Sequence, residues 1–506
     1  MFKNHPKGLL AAALANMGER FGFYTMMAIL VLFLQSKFGL DGTNAGIIYS
    51  IFYALIYILA LVGGIIADKT RNYKKTILIG LIVMALGYLV IAFPSPTPVR
   101  HKMVALIISC IGLVTIAFGN GLFKGNLQAL VGQMYDDPKY SKLRDSGFQL
   151  FYMFINVGAM FAPFTAKYVR GLWLAKNGFL YNAGLPSICH QYLDGTINPE
   201  SMQRLTELAA EVDKTGAFAG NIDGFVNSYL NSFVTGFHYA FGVAIITMII
   251  SVAIFIANKK HLPDVKTKQE AAANNKAVTE MDAKEVKQRL YALFAVFAVV
   301  IFFWFSFHQN GLTLTFFARD YTQLNLFGYK LAVEDFQSAN PIFVVTLTFV
   351  VIGVFGWLRN KGMEPSTPKK IAIGMFIAAL GFFVMSLGSV GLPMHKEVLA
   401  VGSLHDVQKV TPFLLIGTYF ILTVAELFIS PLGISFVSKV APPQYQGVMQ
   451  GGWLGATALG NQLLFIGAIF YENIPIWMTW GLFVVVCLLS MSMMLAMLKW
   501  LERVAK

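Results

Sequence analysis

A glutamate and an arginine side by side inside an apolar run are the residues of this sequence that most plainly invite chemistry. Glu19 and Arg20 interrupt the stretch from Leu9 to Leu34, within NMGERFGFYTMMAIL at residues 16–30. An ion in hydrocarbon costs several kcal/mol, so it persists only where it faces protein interior or a wet cavity and has a partner. Asn16, Glu19, Arg20, Tyr24 and Met27 recur at i, i+3, i+4, i+8 and i+11, which is one stripe of a helix. That stripe is expected to line a polar pathway; the alternative is an ion pair that only locks helix packing.

Further polar groups fall inside other apolar runs. Lys124 sits among the glycines of GNGLFKGNLQALVG and must find an anion or water there. Asn156, in FQLFYMFINVGAM, can bond a ligand or glue two helices. FFWFSFHQNGLTLTF places Trp304 and His308 one turn apart on one face, either lining a pore or titrating. SANPIF carries Asn340 beside Pro341. AELFISPLGISF carries Glu426 and, one turn on, Ser430, followed by a Pro-x-Gly expected to break the helix where backbone lines a cavity. Trp453 lies in the glycine-rich GVMQGGWLGATALGN. In GGIIADKTRNYKK, Gly63 and Gly64 permit close helix approach, Asp68 can accept bonds at the membrane boundary, and Asn72 can take a left-handed turn.

The elements that must position these groups are membrane spans. A chain of 506 residues with mean hydropathy +0.62 and 13% charged residues is no water-soluble globule. Twelve spans are predicted, at roughly 9–36, 44–67, 75–94, 103–134, 146–171, 235–257, 288–318, 339–358, 369–389, 411–438, 446–471 and 475–498. The first apolar run is too long for a signal-peptide core and lacks a small-residue cleavage site, so it is expected to be retained. Cys110, Cys189 and Cys487 are far apart and show no metal spacing, which leaves neither a disulfide framework nor a metal site to expect.

The charge of +13 orients the chain rather than binding nucleic acid. With both termini cytoplasmic, about 25 Lys and Arg fall on that side against about 11 outside, which is the positive-inside bias. Residues 1–171 and 234–258 are expected to form a first bundle of six helices, and 288–506 a second. Between them, 259–287 is charged and Ala-rich and reads as a cytoplasmic tether. Residues 172–233 form a polar insertion outside; within it NPESMQRLTELAAEV has Asn198 as N-cap, Pro199 at N1, and Met202, Leu205, Leu208 and Val212 on one face.

On these residues the sequence resembles the proton-dependent oligopeptide transporter (POT, or PTR) family of the major facilitator superfamily. FQLFYMFINVGAM fits the family's span 5 signature, and GGIIAD, GNGLFKGN, FQSANP, PSTPKK, ELFISPLGISFVSKVAPPQYQG and GGW agree over about 400 residues. The resemblance implies an all-α membrane protein in which two six-helix bundles rock about a central site, importing di- and tripeptides across the plasma membrane with the proton as coupling ion and no other cofactor. It implies a peptide pocket lined by Arg20, Tyr24, Tyr57, Lys124, Asn156, Trp304, Asn340, Glu426, Ser430 and Trp453. A zwitterionic peptide needs a cation for its carboxylate and an anion for its amino group, which Arg20 and Lys124 on one side and Glu426 on the other would supply.

The departures from the family pattern are specific. The first acid of the family's Glu-x-x-Glu-Arg is Asn16; an arginine usually two turns beyond the motif is Met27; and the span 7 glutamate that pairs with that arginine is His308. Losing one member of a buried pair strands a charge at about 3–5 kcal/mol, whereas losing both avoids that penalty. Proton coupling is therefore expected to be re-wired onto His308, with Glu19 and Glu426 as the other carriers. Rival readings are uncoupled diffusion, transport of another small organic solute on the same scaffold, and a membrane sensor using 172–233. No HExxH, GxSxG or facing pair of aspartates speaks for an intramembrane enzyme.

Overall fold

Inside a bilayer every backbone amide must be satisfied within its own segment, so apolar runs of this length fold as helices. The computed structural model describes residues 5–504 apart from 71, 136–137, 141–143, 264–281 and 443–444, and without the side chains of 68, 144–146, 149, 438 and 446–447. Most of the expected 259–287 tether, and the side chain of Asp68, thus lie outside the described residues.

The helices in chain order are α1 (Lys7–Phe38), α2 (Gly42–Thr70), α3 (Tyr73–Ala92), α4 (Lys102–Gln133), α5 (Arg144–Lys176), α6 (Leu185–Leu193), α7 (Pro199–Val212) and α8 (Ile222–Ala257). They continue with α9 (Ala283–Phe307), α10 (Thr313–Tyr321), α11 (Ala339–Asn360), α12 (Thr367–Gly388), α13 (His395–Val401), α14 (Pro412–Val440), α15 (Gln446–Gln462), α16 (Leu464–Asn473) and α17 (Ile476–Val504). Among the described residues, eleven helical segments are long and apolar enough to cross a membrane. α5, of 33 residues, packs against α1 and α8, and several of its side chains lie outside the described residues.

Two sets of helices pack among themselves. α1 lies against α5 and α8, and α4 against α2 and α3; in the second set α12 lies against α14 and α17, and α9 against α15 and α17. The sets meet where α2 touches α15 and α16 and where α5 touches α11. Glycine makes the tightest approaches: a Cβ on Gly63 would collide with the Gly121 carbonyl, and one on Gly80 would lie 2.7 Å from the Gly119 carbonyl. α2 and α3 thus meet α4 backbone to backbone. Gly64, expected to share that role, faces open space.

Three local expectations are corrected. Asn72 does not take a left-handed turn; at φ −133° it caps α3, its side chain accepting from Lys75 N. The Pro-x-Gly of span 10 does not break the helix, for α14 runs through Pro431 to Val440. The polar insertion is shorter than 172–233, because α5 extends to Lys176 and α8 starts at Ile222, both helices outrunning their apolar cores. Within 177–221, α7 is as read from the sequence: Asn198 Oδ1 accepts from Ser201 N at 2.8 Å, Leu205, Leu208 and Val212 are buried, and Met202 is half-buried.

α7 is seated on the second set of helices. Asn198 Nδ2 donates to Ala400 O at 2.7 Å, Ser201 Oγ to the same oxygen at 2.9 Å, and Arg204 Nε to Ser403 Oγ at 3.2 Å. We call this end of the molecule the insertion end, and the opposite one the terminal end.

Candidate functional site

The charged stripe of α1 faces protein. Glu19 is fully buried and Arg20 4% exposed, which a charge tolerates only when paired. The carboxylate receives the guanidinium through two atoms, Nη2 donating to Oε1 at 2.6 Å and Nε to Oε2. It also accepts from Asn120 Nδ2 of α4 at 2.8 Å. Arg20 lies over the ring of Phe23 at 4.6 Å. Asn16 and Met27, at the two ends of the stripe, are buried as well.

Lys124 is one turn beyond Asn120 on α4. Its ammonium lies over the ring of Tyr57 at 4.7 Å and within the field of Arg20 and Glu19. α2 contributes an aromatic ladder, with Tyr49, Tyr53 and Tyr57 spaced one turn apart and ring centroids 5.8 and 5.9 Å apart. The Tyr24 phenol, on the α1 stripe, lies in the field of Arg20 from its own set and of Glu426 from the other. Tyr57 senses the same two charges.

Across from them, Asn340 of α11 donates through Nδ2 to Glu426 Oε2 of α14 at 2.8 Å and to Thr423 Oγ1 at 3.0 Å. Ser430 follows Glu426 by one turn and is half-buried. His308 closes α9: its ring stacks on Trp304 at 4.8 Å, and its Nδ1 is 2.5 Å from Asn461 Oδ1 of α15. The Tyr53 ring of α2 comes within 4.9 Å of the same imidazole, so His308 lies where the two sets meet. Among the described residues, the buried Trp304 Nε1 has no hydrogen-bond partner. Trp453 fills the space over Gly433, where a Cβ would collide with the indole, and meets Phe297 edge-on at 6.4 Å. Asn156 donates to the Tyr152 carbonyl of its own helix at 3.2 Å.

Tyr24 and Tyr57 thus each lie in the field of both Arg20 and Glu426, while Lys124 lies in that of Arg20 and His308 in that of Lys124. Asn120, Thr423, Asn461 and Tyr53 were missed. Asn120 and Asn461 each carry a signal, an amide within an apolar run, lying in the same glycine-rich stretches as Lys124 and Trp453.

A second group of charges, not anticipated, ties the two sets at the insertion end. Arg170 of α5 is 2.8 Å from Glu334, with side chains 1% and 0% exposed. Its guanidinium is walled by Tyr181 at 4.0 Å, Phe237 at 5.3 Å and Phe233 at 5.5 Å. One turn away, Lys167 reaches Asp335 at 2.6 Å and the Lys330 carbonyl at 2.6 Å. Arg319 Nη1 donates to Gln35 Oε1 of α1 at 2.6 Å. These contacts join the two sets at the insertion end.

Comparison with known proteins shows what the chain is similar to. The model of the POT family matches residues 74–279 and 265–477. A peptide transporter of Yersinia enterocolitica is 30% identical over 478 residues, covering 91% of this chain and 87% of that protein. The dipeptide and tripeptide permease B of Xenorhabdus bovienii is 26% identical over 535 residues, covering 99% and 97%. Among solved structures, a peptide transporter POT in complex with sulfate superposes with a TM-score of 0.74 at 23% identity, covering 100% of this chain and 96% of that one.

Proposed function

The chain belongs to the POT family of membrane transporters, and from that premise we propose that it imports di- and tripeptides by alternating access, coupled to proton entry through a variant site. The observation that carries the reading is the opposition of charges across the two sets: Arg20 and Lys124 on one side, Glu426 on the other, with Tyr24 in the field of Arg20 and Glu426 together. A short peptide presents a carboxylate to the first pair and an ammonium to the second. Tyr57, Trp304 and Trp453 offer apolar area and π faces to varied side chains, while Asn156, Asn340 and Ser430 supply hydrogen bonds. Such a site discriminates peptide ends more than side chains.

Met27 and His308 stand where the family carries a charged pair, and in this reading the His308 imidazole takes the proton that the family's span 7 acid would carry. Its Nδ1 bonds Asn461 Oδ1, which leaves Nε2 as the acceptor. Glu19 and Glu426 are the carboxylates that share the coupling. We read the contacts that join the sets at the insertion end as a state shut there, and the charge bias supports a plasma-membrane protein with the terminal end and both termini in the cytoplasm. The division into 1–171 with 234–258, 259–287 as tether, and 288–506 belongs to the same proposal.

The test is uptake of labelled dialanine into proteoliposomes with and without an inward proton gradient. Accumulation above equilibrium only with the gradient supports coupled peptide import; equilibration alone supports uncoupled diffusion. A second reading, a different small organic solute, is favoured by the buried Met27 in place of a cation. It prevails if dialanine neither enters nor competes.

A further inference from the structure

The first turn of a helix in one half of the molecule is capped by a carboxylate from the other half. Glu472, next to last in α16, receives Gly42 N on Oε1 at 2.5 Å. Its Oε2 receives Thr43 N at 3.1 Å and Thr43 Oγ1 at 2.5 Å. The local acid Asp41 takes the next amide, Asn44 N, at 2.6 Å. Of the first three amides of α2, two therefore depend on a residue 430 positions away.

Chemistry and fit both favour this arrangement. The first amides of a helix have no intrahelical acceptor, and a carboxylate there satisfies them and complements the positive end of the helix dipole. Gly42 is needed for the approach, since a Cβ would come within 2.8 Å of Glu472 Oε1 and 3.0 Å of the Phe316 ring. The junction is not sealed in apolar packing: Asp41, Gly42, Arg319, His395 and Glu472 line a cavity of about 200 Å³ at this end. The carboxylate is thus held by bonds that water can replace as the halves part.

We propose that Glu472 is a positioning residue for alternating access, completing the N-terminus of α2 only while the insertion end is shut and so setting how often that end opens. The proposal rests on the transport reading above. Opening uncaps α2, and the lost cap is part of the free energy that holds the gate. Its removal shifts the balance toward the open insertion end by about fivefold.

The experiment measures the distance between spin labels at Lys102 and Lys396, exposed positions on opposite halves of the insertion end, in a cysteine-free background without substrate. Glu472→Ala is expected to raise the weight of the long-distance population about fivefold, and Glu472→Gln, which keeps one acceptor oxygen but no charge, by less. Gly42→Ala, which displaces the carboxylate without removing it, is expected to follow Glu472→Ala and carries the test should that variant fail to fold. In proteoliposomes the half-saturating dialanine concentration and the maximal rate should fall together, because more transporters present the open site and fewer close. Unchanged distances in Glu472→Ala and Gly42→Ala overturn the proposal even if dialanine is transported. Failure of the unsubstituted protein to take up dialanine overturns the transport reading and leaves the distances to judge the latch.

Discussion

The imidazole of His308 lies nearly parallel to the indole of Trp304, their centroids 4.8 Å apart and planes inclined by 20°, while Asn461 holds its Nδ1. With one face stacked and Nδ1 bonded, Nε2 is the nitrogen left to exchange a proton, and the Tyr53 ring comes within 4.9 Å of the imidazole. Both the tautomer and the ring plane are therefore set by neighbours.

His308→Gln removes the proton acceptor while keeping a group that can bond Asn461. Concentrative dialanine uptake under a proton gradient should be lost, whereas exchange of internal for external peptide should persist. Asn461→Leu should weaken the coupling less, since it frees the ring but leaves the imidazole in place. Gradient-driven accumulation by His308→Gln at the unsubstituted level would assign the proton to Glu19 or Glu426.

Glu426→Gln leaves the bond to Asn340 possible but withdraws the charge offered to a peptide ammonium. Hydrogen bonds to charged groups are worth about 1.5–3 kcal/mol, so dialanine affinity should fall by about 10- to 150-fold. N-acetyl-dialanine has no ammonium to lose, and its weaker binding should hardly change. Lys124→Gln should mirror this, costing dialanine more than its C-terminal amide. Competition for labelled dialanine measures both.

Arg170 and Glu334 are buried together, so removing either strands the other. Arg170→Met or Glu334→Leu alone should destabilise the shut state by about 3–5 kcal/mol, and the double substitution by far less. Thermal unfolding of the detergent-purified variants, arranged as a double-mutant cycle, gives the coupling directly. Additive single effects would show that the pair is not an energetic unit.

Outside the membrane, Glu364 accepts from Arg359 at 2.6 Å and from Lys370 at 2.6 Å. These bonds, that to Arg359 foremost, pull its carboxyl down from 4.5 to about 2. A depressed carboxylate contributes stability that is present above its unfolded value and is lost as pH falls toward its folded one. The melting temperature of the unsubstituted protein should therefore exceed that of Glu364→Gln at pH 6, with the gap closing between about pH 4.5 and pH 2. A constant gap across that window would remove the carboxylate as its source.

Much of this molecule is written in local periodicity. The spans, the α1 stripe through Glu19 and Arg20, and the Asn198 cap of α7 were legible because a helix repeats every 3.6 residues and needs a partner for its first amides, whatever surrounds it. The resemblance to the POT family implied that Lys124, Glu426 and Trp304 line one pocket, which spacing within single helices does not contain. What only the tertiary structure decided are the polar pairings between distant helices: Asn120 with Glu19, Asn461 with His308, Arg170 with Glu334, and Glu472 with the start of α2. Each partner taken alone is one more polar residue near an apolar run. Which of them meet is set by how the helices pack, and a buried ion or an uncapped helix end is tolerable only once that packing has brought its complement within about 3 Å.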